Sequence, residues 1–136
     1  FLHATTSYQL LCPAYCLMPD HCHVLLRGIH AESDQLLAIA FLRRALKPSL
    51  HPSEFQKQAY DHVLRANELH RDAFRSVAYY IVENPVRAKL VKHSSEYMFS
   101  GGLLAGKPLA DIHSAKYWDV FWQMHMTKLE LNGYVG

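Results

Sequence analysis

Residues 8 to 27 constrain the fold more than any other part of this chain. Tyr8 to Leu17 is an apolar run with aromatic and β-favouring residues, and it reads as a buried strand. Met18-Pro19-Asp20 interrupts it, because proline fixes φ and aspartate favours turns. From His21 to Arg27 the pattern alternates, with His21, His23 and Leu25 on one face and Cys22, Val24 and Leu26 on the other. Two strands around so short a turn make a β-hairpin.

The remaining periodicity is largely helical. Glu32-Ser33-Asp34 offers a cap for a helix reaching about Lys47, where Leu36, Leu37, Ala40, Phe41 and Arg44 follow helical spacing and Pro48 ends it. A loop with Pro52 leads to a predicted middle strand over 58–65. Asn67 is a plausible cap for a second helix from Glu68 through Glu83, stopped by Pro85, with a short helical piece through Ala88 and Leu90. Gly101, Gly102, Gly106 and Pro108 mark a flexible loop, and Tyr117 to Lys128 forms a last helix rich in aromatics. Strands separated by helices in 136 residues predict one α+β domain, helices packed on a sheet, with 102–136 as a C-terminal loop and helix extension.

Composition narrows the class. Half the residues are apolar and 19% are charged, the balance of an ordinary globular protein, and no stretch of eighteen apolar residues predicts a membrane span. The start, Phe1-Leu2-His3-Ala4, lacks the charged-then-apolar pattern of a secretory signal. Cys12, Cys16 and Cys22 are an odd number in one short region, which argues for a reducing cytoplasm over a disulfide framework. A net charge of +2 permits nucleic-acid binding without announcing it. Ten histidines are many for this length, and they matter only where some converge.

Two do so on paper. His21 and His23 are i and i+2 on a strand, hence on one face about 7 Å apart at the backbone. Two imidazoles there reach one divalent cation and leave its other positions open for substrate oxygens and water, as a catalytic metal requires. A second group lies on the helix at Ala78-Tyr79-Tyr80-Ile81-Val82-Glu83-Asn84-Pro85. Phe74, Ala78 and Ile81 form its apolar stripe, Tyr80 and Asn84 stand one turn apart at the edge, and Tyr79 falls with Asp72, Ser76 and Glu83 on the polar side. Tyr80 is therefore the tyrosine expected near the histidines.

Three blocks, in order, resemble one family. Pro13-Ala14-Tyr15-Cys16-Leu17-Met18-Pro19-Asp20-His21-Cys22-His23-Val24-Leu25-Leu26 is similar to the histidine–hydrophobic–histidine strand of REP-associated tyrosine transposases, relatives of the single-tyrosine insertion-sequence (HUH) transposases. Tyr60-Asp61-His62-Val63-Leu64-Arg65 resembles that family's middle strand. Tyr80-Ile81-Val82-Glu83-Asn84-Pro85-Val86-Arg87-Ala88 resembles its tyrosine helix and Asn-Pro-Val-Arg signature, and Tyr97-Met98-Phe99-Ser100-Gly101 the segment that follows. The resemblance covers roughly residues 8 to 101. It implies a ferredoxin-like (RRM-like) antiparallel sheet with packed helices, a metal pair at His21 and His23, a nucleophile at Tyr80, and a polar side chain at Asn84 that completes the metal site. It further implies magnesium or manganese as cofactor and hairpin-forming single-stranded DNA as substrate. A bacterial, nucleoid-associated location follows from it too, with a monomer or a homodimer as the active unit. Two departures stand out: Cys22 replaces the usual aliphatic residue between the histidines, and the family's first strand and helix have too little sequence ahead of Tyr8.

On that reading Tyr80 attacks a metal-polarised phosphate, leaving a 5′-phosphotyrosine and a free 3′-hydroxyl, so that rejoining needs no ATP. Arg43, Arg44 and Lys47 on the first helix, and Arg87 after the tyrosine helix, are candidate phosphate contacts, with Lys89 and Lys92 beside Arg87. Two alternatives stay open. One is a nucleic-acid-binding module of the same fold that has lost cutting, binding single strands through exposed aromatics. The other is a structural zinc site from Cys12, Cys16, His21 and His23. His62, beside Asp61, could also approach the site.

Overall fold

The computed structural model describes residues 8–55, 62–104 and 111–131. Its architecture is α+β, with one three-stranded antiparallel sheet. β1 (Leu10–Leu17) and β2 (Cys22–Gly28) form the expected hairpin, and β3 (Ser100–Leu103) lies on the other side of β1, giving the order β2-β1-β3. Around the strands come α1 (Gln35–Leu50), α2 (Arg71–Val82), α3 (Asn84–Arg87) and α4 (Ala115–Leu131).

β1 is central although it contains Pro13, which has no amide to donate. The ladder accommodates it with register shifts between Leu11 and Ala14 towards β2 and between Cys12 and Tyr15 towards β3. The freed Pro13 carbonyl accepts a 2.7 Å hydrogen bond from the Tyr117 hydroxyl of α4. Beyond the irregularity the pairing is regular, with Ala14 opposite Leu25, Cys16 opposite His23 and Leu17 opposite Cys22.

β3 corrects the expectation of a flexible loop at Gly101 and Gly102. Glycine is needed there for close approach. A Cβ on Gly102 would overlap the Tyr117 hydroxyl and come within 2.7 Å of the Pro13 carbonyl, so the strand passes under the ring only without a side chain. Gly106 and Pro108 lie outside the described residues.

α2 packs on β1 and β2 through the stripe read from its spacing: Phe74, Ala78 and Ile81 are buried, with Val82 beside them. α4 closes the core. Phe121 lies parallel to Phe74 at 5.7 Å between centroids, and Trp118 and Trp122 meet Phe74 edge-on or tilted at 6.3 and 5.5 Å. The C-terminal helix is thus a core element, and it runs longer than 117–128.

Other boundaries moved for local reasons. Asp34 caps α1, its carboxylate accepting from the Leu37 amide at 2.9 Å. Pro48 does not end α1, which continues to Leu50, because proline forfeits one donor while fixing a φ that is itself helical. The helix expected from Glu68 starts only at Arg71. Glu68 closes a 3₁₀ turn over Ala66–Glu68, its carboxylate accepting from the Arg65 amide at 2.7 Å, and His70 then occupies the N-cap position of α2 without a side-chain capping bond. The expected middle strand is absent from its described part: 62–65 has no regular structure, Val63 is 74% exposed, and His62 faces Glu68 at 3.5 Å. The rest of that stretch, with Tyr60 and Asp61, lies outside the described residues.

Candidate metal and nucleophile site

The turn after β1 builds the histidine pair. The Met18 amide donates to the His21 carbonyl at 2.7 Å, so Pro19 and Asp20 form the tip and His21 enters β2 directly. The imidazoles of His21 and His23 lie 4.7 Å apart at their centroids and nearly perpendicular, at 86°. Asp20 holds the Nδ1 of His21 at 2.6 Å, which leaves Nε2 as the outward ligand atom. That contact, with the charge of His21, keeps the exposed Asp20 carboxyl below the usual range. From sequence Asp20 reads only as a turn former; an acid directly preceding a candidate ligand histidine was the signal for its second contact.

His23 lies deeper, opposite Cys16. Burial, then the charges of His21 and Arg87, depress its pKa and favour the neutral ring whose lone pair a metal requires. Among the described residues no group of three or more His, Cys, Asp or Glu side chains converges. His21 and His23 are thus two candidate donors without a third His, Cys, Asp or Glu converging with them among the described residues.

The helix side meets this end through Arg87. Its guanidinium stands 3.7 Å over the centroid of the Tyr80 ring, and Nη2 donates to the Tyr80 carbonyl at 2.6 Å and to Asn84 Oδ1 at 2.8 Å. Its charge acts on His23, adding to the fall in that ring's pKa, and on Cys16, where it partly opposes the rise caused by burial, which sets it beside the histidine end of the sheet. Tyr80 is 63% exposed, free of the core and covered on one face by the arginine. Asn84 is committed locally: its Nδ2 donates to the Ile81 carbonyl at 2.9 Å while its Oδ1 accepts from Arg87. As a metal ligand it would have to leave Arg87.

Tyr79 is not on a solvated polar face. It packs half-buried against the core, 5.0 Å from the His113 ring and 6.3 Å from that of Trp118. Nearby, Ser94, His113 and Glu83 look like a nucleophile triad. Ser94 Oγ at 2.9 Å and Glu83 Oε1 at 3.7 Å both approach Nε2 of His113, however, and a relay needs the acid on the opposite nitrogen.

The cysteines do not form a zinc site with the histidines. Cys12 is fully buried and its thiol is pushed up to about 12, chiefly by burial, while burial also raises Cys16. Among the described residues no three of these cysteines and histidines converge as a zinc site would require. On α1, the Arg43 guanidinium stands 5.4 Å from the Phe55 ring, and Arg44 and Lys47 are exposed.

At the far end of the hairpin lies a cluster that pattern reading missed. Arg27 of β2 donates its Nε to Nε2 of His125 at 3.2 Å and sits between the rings of Phe74 and Trp122. Its hydrogen-bond partner His125 lies 98 positions away in sequence, so no local spacing foretells the pair. Comparison with family models, with curated proteins and with solved structures finds no match to this chain.

Proposed function

We propose that this chain is a metal-dependent endonuclease and strand transferase acting on single-stranded or hairpin DNA, on a ferredoxin-like scaffold. One observation carries the reading. Arg87 covers Tyr80, holds Asn84 and electrostatically reaches His23, so nucleophile, phosphate-binding cation and candidate metal ligands share one end of the sheet.

The chain's own groups divide the work. His21, oriented by Asp20, and the neutral His23 would hold a divalent ion, with Asn84 joining them on release from Arg87. Magnesium or manganese held there would supply positive charge to the phosphate oxygens. Arg87 presents its remaining N–H groups to the same phosphate and fixes the Tyr80 ring, so that little rotamer entropy remains to be lost on attack. The phenol oxygen bonds to phosphorus as the bond to the 3′-oxygen breaks; the phenol proton is released and the leaving oxygen ends as a hydroxyl. The resulting phosphotyrosine retains the bond energy, which permits rejoining by the reverse step.

Covalent capture tests this. The protein is incubated with labelled hairpin-containing single-stranded DNA and manganese, then run on a denaturing gel beside Tyr80→Phe and Tyr79→Phe. A labelled protein band lost only in Tyr80→Phe is expected. The engaged Asn84 amide favours a second reading, a binding module without cutting. DNA binding without an adduct from any variant would establish that reading instead.

A further inference from the structure

We propose that Arg71 and Arg27, both beside the ring of Trp122, form a phosphate-binding site at the opposite end of α2 from Tyr80, occupied by the backbone of the same DNA strand. The occupant rests on the functional reading above; the phosphate chemistry rests on the cluster itself.

Among the described residues no acid forms an ion pair with Arg27 or Arg71. Arg27 is half-buried, and its Nη1 is shut off from solvent with no hydrogen-bond partner. Its Nε has only a neutral acceptor, His125. Arg71 is exposed, and its guanidinium stands 5.1 Å from the centroid of Trp122, against 5.5 Å for Arg27. The two charges thus lie within roughly one Debye length of each other, about 10 Å, so their fields add. The two acids nearest Arg71 in sequence are engaged elsewhere, Asp72 with Arg75 at 3.2 Å and Glu68 with His62 at 3.5 Å. The field also acts on His125, buried beside them, and opposes its protonation.

A half-buried cation without a counter-charge is costly, and the faces of Phe74 and Trp122 offset only part of that cost. An anion at the exposed Arg71 would offset more. The ring of Trp122 is 8% exposed, too little for a base to stack on, so the ligand group is the phosphate and not the nucleobase. Nine residues of helix separate Arg71 from Tyr80, about 14 Å at 1.5 Å each. That axial rise alone matches roughly four nucleotides of a stacked strand at about 3.4 Å apiece, and because nine positions turn the two residues to opposite sides of the helix, a strand reaching both is longer still.

The test is fluorescence anisotropy of labelled single strands over a salt series, with a trinucleotide and a decanucleotide, on wild type, Arg71→Met and Arg71→Glu. Arg71 is exposed, so these variants keep the fold; Arg27→Met is added where its unfolding midpoint matches wild type. For the decanucleotide the slope of log affinity against log salt should fall by about 0.7 in Arg71→Met, one phosphate contact. Binding of the trinucleotide should not change. An unchanged decanucleotide slope in both Arg71 variants overturns the site, and if Tyr80 still captures DNA the functional reading survives alone. If wild type binds no oligonucleotide but inorganic pyrophosphate quenches its tryptophans in an Arg71-dependent way, the phosphate site stands and the strand-cutting reading falls.

Discussion

Acid should unfold this protein partly through one residue, His125. Its side chain is 6% exposed, and burial, then the charge of Arg27, pull its pKa from 6.5 to about 4; Arg71 adds to the pull, while a hydrogen bond to the Gly28 carbonyl opposes it. The unfolded chain therefore takes up this proton at higher pH than the folded one. Above pH 6.5 the ring is neutral in both states and contributes nothing to the pH dependence. Between 6.5 and 4 the unfolded state binds more protons, so stability falls with pH, and below 4 the loss levels off. Linkage gives about 1.4 kcal/mol lost at pH 5.5 and about 2.6 kcal/mol at pH 4.5, towards a limit near 3.4 kcal/mol. Other groups titrate too, so the assay is a difference: urea unfolding from pH 8 to 4.5 of wild type and His125→Gln. Glutamine still accepts from Arg27 and donates to Gly28, but it does not titrate. The stability advantage of wild type over the variant should shrink by about 2 kcal/mol or more across that range. Parallel curves would refute the claim that Arg27 and burial hold this ring neutral.

Removing the carboxylate that orients His21, as Asp20→Asn, should weaken manganese binding by roughly 10- to 100-fold, read by electron paramagnetic resonance without DNA. Arg87→Lys keeps the charge but loses the planar contact on Tyr80 and the fork to Asn84; covalent capture should fall at least tenfold while the unfolding midpoint stays within about 1 kcal/mol of wild type. Gly102→Ala forces the Tyr117 ring off Pro13 and should cost about 1–3 kcal/mol in denaturant unfolding. Phe74→Ala, at the centre of the aromatic core, should cost about 3–5 kcal/mol in the same assay.

Features that sequence revealed were those fixed by neighbours along the chain. The hairpin was legible because alternation and a Pro-Asp turn are local, and the buried stripe of α2 because its spacing is periodic. The pairing of Tyr80 with Asn84 followed from helical geometry, and the structure adds the arginine three residues on that holds both. What escaped was decided across the fold. β3 reads as a glycine loop because Gly102 serves Tyr117, fifteen residues later, and not a turn. Val63 and Leu64 read as a strand, yet Glu68 recruits the neighbouring backbone and His62 into a capped turn.

Tyr79 and Tyr80 show the same division within two adjacent residues. Helical spacing placed both near the margin of the apolar stripe, and it assigned Tyr79 to solvent because Asp72, Ser76 and Glu83 share its side. α4 and the segment before it reverse that assignment, since His113 and Trp118 give the Tyr79 ring a partly buried bed. Burying Tyr79 leaves Tyr80 as the phenol with a free outer side, and only a phenol outside the core can meet a phosphate arriving from solvent. Tyr80, which the family resemblance nominates, is the more exposed of the two adjacent tyrosines. Arg87 then gives that accessible ring a fixed orientation without burying it.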